Sequence, residues 1–143
     1  MKADARTEAD LLGLLKRFSE AFSNRDKGRV LRLFESDADL VFIGSSYGPV
    51  FGRSELEALL DRVFSRPKAY SWDYKSWSIL MSGQVAWLTA QGLIHARGGD
   101  QDVSRPYRLT AVFEKRHSKW LWMQYHGSEP KRVRKSRVPV KRA

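Results

Sequence analysis

The residues of this chain best suited to chemistry lie near its C-terminal end, in the run RPYRLTAVFEKRHSKWLWMQYHGSEP at 105–130. Arg108, Thr110 and Val112 alternate along one predicted strand. Trp120, Trp122, Gln124, His126 and Ser128 alternate along the next, and Trp87, Thr89, Gln91 and His95 along the strand before them. Side chains two apart on a strand share a face. These sets therefore predict one aromatic wall carrying a few polar groups, the usual lining of a small-molecule site. The expected ligand contacts are Arg108, Thr110, Trp122, His126, Trp87 and Tyr47, the last from a turn enclosed by Gly44, Gly48, Pro49 and Gly52.

Each of these residues also has a plainer role. Arg108 could hold a carboxylate or phosphate with its planar fork. Equally, it could pair with an internal acid such as Asp39 or Glu114, because a buried arginine needs a partner either way. His126 is the candidate general acid or base, since its ordinary pKa of ~6.5 suits proton transfer. No partner carboxylate is identifiable by spacing, so a satisfied structural histidine is the plainer reading. His95 reads as a strand-end polar residue, and His117 as a solvated turn residue. Asp39 is either a pocket carboxylate or a turn acid beside Asp37. Of Trp72, Trp77, Trp87, Trp120 and Trp122, most are expected in the core and the remainder at the pocket wall. No metal-ligand spacing, glycine-rich phosphate loop or cysteine is present, so no metal, cofactor or thiol chemistry is expected.

The elements that must position these residues are legible in the periodicity. Leu11, Leu15, Phe18 and Phe22 recur at helical spacing and predict a helix over 7–24, with Thr7 as N-cap. Asp26 could cap a short second helix holding Val30, Leu31, Leu33 and Phe34, broken by Asp37-Ala38-Asp39. Leu40 to Ile43 predict a strand, with a short returning strand at Val50 and Phe51. Ser54 and Glu57 form a capping box for a third helix, stopped by Pro67. Strands follow over 69–81, 85–97, 103–116 and 119–128. The expected fold is α+β, a curved antiparallel sheet with three helices from the N-terminal half on its concave face. The small apolar set Ala86, Leu88 and Ala90 is expected on the opposite face, free to meet another subunit.

With 143 residues and 42% hydrophobic content, the chain can bury one core, and residues 1–130 read as one domain. No apolar run approaches the ~20 residues of a membrane span, and a cytoplasmic protein is expected. The net charge is +10, but residues 131–143 hold seven of the 26 basic residues and no acid. That tail is expected to be disordered. It is either a solubilising segment or an arm for nucleic acid or an acidic partner.

The sequence at this point resembles the nuclear transport factor 2-like superfamily, the cystatin-like α+β cone, and within it the SnoaL-like group. The resemblance rests on RFSEAF, LFESDADLVFIGS, GRSEL and VAWLTAQG, followed by Arg108-x-Thr110, Lys119-Trp120 and His126-x-Ser128. It spans nearly all of residues 8–130. It implies a cone with a pocket between sheet and helices, and a homodimer through the sheet. It does not choose among ketosteroid isomerases, cyclases, dehydratases and transport adaptors. The tyrosine and aspartate of the isomerases fall here on Phe18 and Phe42, and their second aspartate near Thr110. Phenylalanine moves no proton, so that mechanism is not carried over. The expected function is a dimeric small-molecule-binding domain. The alternatives are an enzyme of isomerase, cyclase or dehydratase type using His126 with Arg108, and an adaptor working through the tail.

Overall fold

The structure, a computed structural model, describes residues 1–35 and 39–131. Asp37 and Ala38 of the predicted helix break, and the tail from Arg132 onward, lie outside the described residues. The element order is α1 (Ala5–Ser23), α2 (Lys27–Leu31), β1 (Val41–Ile43), β2 (Val50–Phe51), α3 (Gly52–Phe64), β3 (Ala69–Ser82), β4 (Val85–Arg97), β5 (Val103–Arg116) and β6 (Lys119–Ser128). Six strands form one sheet in the order β2-β1-β6-β5-β4-β3. All neighbours are antiparallel except β1 and β6. The α+β fold, with a curved, unclosed sheet and three helices, is as expected.

Helix starts differ from the expectation in detail. Asp4 caps α1, its Oδ1 accepting from the Thr7 N–H at 2.8 Å, while Thr7 itself is buried. Asp26 caps α2 as expected, accepting from the Arg29 N–H at 3.1 Å. The Ser54–Glu57 capping box does not form. Helix α3 begins three residues earlier, with Phe51 and not Ser54 at the N-cap position, and Glu55 reaches back to the Phe51 N–H at 3.3 Å. Glu57 instead meets Lys27 of α2 at 3.2 Å.

The core centres on Phe18 of α1. Its ring lies 5.1 Å from Trp122, 5.2 Å from Trp72, 5.4 Å from Phe22 and Tyr125, and 6.0 Å from Phe34. Opposite these rings the sheet presents small or slender side chains. Ala86, Leu88, Ala90, Leu109 and Ala111 are all buried under the helices. The expectation that Ala86, Leu88 and Ala90 form a free outer face is therefore corrected. A concave face crowds its side chains, so small residues belong there, where they leave volume for the aromatics. The fully apolar face is also the one that gains most from leaving water.

One irregularity decides what β6 shows to each side. Phe113 pairs with Trp122 and Val112 with Gln124, so Met123 is an extra residue in β6. This β-bulge shifts the strand's phase. Trp122 and Tyr125 both face the core, while Gln124 and His126 are exposed. Backbone pairing holds the bulge. The Trp122 N–H donates to the Leu33 carbonyl at 2.9 Å, and the Glu35 N–H donates to the Trp122 carbonyl at 2.9 Å. Glu35 is buried and pairs with Arg116 at 2.5 Å, and Arg116 also meets Glu114 at 2.6 Å. This network uses Glu114, one of the two acids that the sequence offered to Arg108.

Deleting Met123 would leave Trp122 and Tyr125 two residues apart, both inward on a regular strand, so the variant is expected to keep a cooperative thermal transition in near-UV circular dichroism; loss of that transition would contradict this. Gly127 makes a second test. A Cβ there would sit 1.6 Å from the Tyr107 hydroxyl, so Gly127→Ala should cost about 1–3 kcal/mol in urea denaturation through overpacking.

Candidate ligand-binding cavity

The wide end of the cone is open where the start of β3, the end of β4, the start of β5 and the end of β6 come together. Helix α3 roofs it with Leu59, Leu60 and Val63, and α1 contributes Phe22. Between them lies a cavity of about 140 Å³. That is the scale of an apolar cavity of about 150 Å³ that accepts one benzene ring. Ile94 and Ala96 form the sheet-side wall, and Tyr70 and Trp72 stand at the β3 edge. The α1–β3 contact that sets Trp72 is specific. Ser19 Oγ accepts from the Trp72 N–H at 2.8 Å and donates to its carbonyl at 3.3 Å.

The polar centre of the cavity is a pair of tyrosines. The Tyr107 and Tyr125 hydroxyls lie 2.6 Å apart and buried. Gly127 opens the space that the Tyr107 hydroxyl occupies. Burial pushes the Tyr107 phenol up to about 12, against a smaller downward pull from Tyr125 and Trp72. Burial also raises Tyr125 well above its ordinary value, with Tyr107 and Tyr74 adding to the rise. Tyr74, beside them, is raised chiefly by burial too. All three phenols therefore stay neutral over the physiological range. Tyr107, Tyr125 and Tyr74 form one group of three hydroxyls, in which two protons can be taken up internally and one is left for a further acceptor.

The mouth is charged. Ser45, Tyr47, Arg105 and Glu129 line it. Glu129 accepts from Ser45 Oγ at 3.0 Å and pairs with Arg105 at 3.4 Å. Arg66 reaches the Tyr47 hydroxyl at 3.3 Å. Glu129 is the one carboxylate among the described residues that lines the cavity.

Of the residues expected to line the pocket, only Tyr47 does so. Trp122 is fully buried deeper in the core, stacked on Phe34 at 5.2 Å. Arg108, Thr110, His126 and Trp87 do share one face, but it is the outer one. Thr89, Thr110 and His126 form one cross-strand row, Trp87, Val112 and Gln124 the row beside it, and Gln91, Arg108 and Ser128 the row beyond. Period two groups residues by face but does not say which face is inside. The Met123 bulge then breaks the grouping of Trp122 with His126. Asp39 is exposed and absent from the cavity wall. His95 meets Ser104 Oγ at 2.6 Å, and His117 occupies an exposed turn with φ 49°. Phe42 lines the cavity and stacks on Tyr125 at 4.4 Å, while Phe18 lies behind it in the core. Tyr107, Tyr125, Arg105 and Glu129 were missed. The available signal was Gly127, a strand-interior glycine between polar neighbours, which marks a close approach.

A SnoaL-like domain model matches residues 12–131. A search of curated proteins returned no match. Among solved structures, a candidate aromatic ring hydroxylase from Novosphingobium aromaticivorans superposes with a TM-score of 0.79 at 17% identity, covering 90% of this chain and 92% of its own. A candidate dehydratase of the NTF2-like family from Streptomyces avermitilis gives 0.77 at 19% identity, with 90% and 99% covered. A Nostoc punctiforme protein with a cystatin-like fold gives 0.75 at 15% identity, with 93% and 98% covered. At such identities the likeness shows the fold alone. The match over residues 12–131 places this protein in the SnoaL-like family, on a fold it shares with NTF2-like, cystatin-like structures.

Proposed function

We propose that the cone binds one small, largely apolar molecule, about the size of a single aromatic ring, that presents an oxygen acceptor to the tyrosine pair. The carrying observation is the buried Tyr107–Tyr125 hydroxyl pair facing a cavity otherwise walled by apolar and aromatic groups. A carbonyl or phenolic oxygen would take the spare proton, and an attached carboxylate would reach Arg105 at the mouth. The outer sheet face supports a homodimer. It combines half-buried Trp87 and Val112 with exposed Val85, beside Thr89, Thr110 and His126. A second copy laid on it would cover that apolar strip.

A catalytic reading has two observations in its favour. Glu129 faces the cavity near neutral hydroxyl donors, and two structural neighbours carry enzyme descriptions. Arg108 and His126, on the outer face, do not enter it.

Thermal-shift screening with small phenols, aromatic ketones and aromatic carboxylates tests the binding reading. A true ligand at about 100 times its Kd should raise Tm by about 5–10 °C. Tyr107→Phe should weaken it about tenfold through loss of one hydrogen bond. Ala96→Trp, which fills the cavity, should abolish the shift; a shift that survives it, or no shift from any compound, would sink the proposal. For the dimer, Trp87→Glu should convert the protein to a monomer in sedimentation velocity.

The tyrosines set a pH dependence. Their folded pKa values are raised, so the stability they contribute is fully present below the ordinary phenol value near ~10. It is lost as pH rises from there through about 12, the value for Tyr107. Alkaline unfolding monitored by tyrosinate absorbance should therefore begin above pH ~10 and move to higher pH in Tyr107→Phe.

A further inference from the structure

On the far side of α1 from the cone runs a second concavity, an open groove of about 630 Å³ between α1, α2 and the β5–β6 turn. Arg6 and Arg17 of α1, Arg29 and Arg32 of the α2 segment, and Lys119 of β6 line it, with Asp10 as the one acid among the described residues. All five cations are exposed, and none has an ion-pair partner among the described residues. Five cations and one acid give a local net of +4, against +3 for 19 basic and 16 acidic residues over 1–130. The nearly balanced body thus gathers its positive excess in one place.

The groove has a directed shape. Positions 6, 10, 13 and 17 fall on one stripe of α1, and Arg6 to Arg17 spans about 16 Å at about 1.5 Å per residue. Between them sits Gly13, well inside the helix. A Cβ there would meet nothing within 4 Å, so packing does not require glycine, and a helix-interior glycine costs stability relative to alanine. Close approach of a ligand to the helix backbone would account for it. The floor is apolar but covered, since Trp120 is only 8% exposed.

From this arrangement we infer that the groove binds the phosphodiester backbone of a single-stranded nucleic acid. Four of the five cations are arginines, whose planar forks suit phosphate oxygens. A peptide docking here would want exposed apolar anchors, which the covered floor does not offer. A backbone needs only charges and donors. With no exposed ring in the groove for bases to stack on, recognition is independent of sequence and sensitive to salt. The seven basic residues of 131–143 are a separate source of positive charge, and the test below removes them. The inference is independent of the cone's ligand.

The test uses the 143-residue chain with the basic residues of 131–143 changed to serine, and fluorescence anisotropy with a labelled 15-nucleotide oligo(dT). Five phosphate contacts at about 0.7 each predict a log–log salt slope of about −3.5, which is about 100-fold weaker binding at 200 mM salt than at 50 mM. Arg17→Ser with Arg32→Ser should reduce the slope by about 1.4. Gly13→Met, which fills the groove without changing charge, should weaken binding while leaving Tm at or above the parent value. Arg6→Ser with Lys119→Ser serves in place of the first pair if that variant fails to melt cooperatively. The inference is overturned if oligo(dT) does not bind at 50 mM salt, or if both charge variants bind with the parent slope. It is also overturned if poly-glutamate competes as well as unlabelled oligo(dT), which would assign the groove to an acidic protein.

Discussion

The extra residue at Met123 is the constraint on which the rest of the structure depends. The β-bulge lets Trp122 and Tyr125, three residues apart, both point inward. Trp122 then closes the narrow part of the core against Phe34 and Phe113, and Tyr125 reaches the wide end to meet Tyr107. The same strand pairs with Leu33–Glu35 on one side of the bulge and with β1 on the other. A regular strand could serve one of these tasks. Two segments need two phases, and a bulge supplies the change of phase at the cost of a local break in the ladder.

That geometry separates packing from chemistry along the cone. At the narrow end the cluster around Phe18 packs ring against ring, with Glu35 buried beside Arg116. At the wide end the cluster thins, and the tyrosine hydroxyls become the polar lining. Their burial keeps them neutral, so they act as donors and not as bases. Among the described residues lining the cavity, the charged ones are Arg105 and Glu129, at the mouth, where water can solvate them. On the binding reading proposed above, such a cavity would select first by size and apolar surface and then by one hydrogen bond, the order found in small-molecule sites generally.

Charge is partitioned as sharply as polarity. The acids Glu57 and Asp61 of α3 are matched by Lys27, and Glu114 and Glu35 by Arg116. The arginines along α1 and α2 are left facing water. Since α1 buries Phe18 and Leu11 on its other side, one helix separates an apolar interior from a cationic exterior, as amphipathic helices do.

The sequence by itself determined the elements and their order. Helical spacing from Leu11 to Phe22 and alternation from residue 69 onward reflect which residues must leave water, and that preference is local. The four long strands begin and end at or within a residue of the expected places, because the turns between them, such as Gly98-Gly99, are local too. Periodicity also grouped Arg108, Thr110, Trp87 and His126 correctly onto one face. Only the tertiary structure decided that this face is the outer one, because inside and outside are set by where the helices pack and not by alternation. It alone placed the bulge at Met123, since a phase shift costs backbone pairing that is repaid by segments distant in sequence. It alone brought Tyr107 to Tyr125 across the space left by Gly127, and gathered arginines 6, 17, 29 and 32 with Lys119 into one groove. Those are meetings between residues far apart in the chain, and they exist only once the sheet has curved.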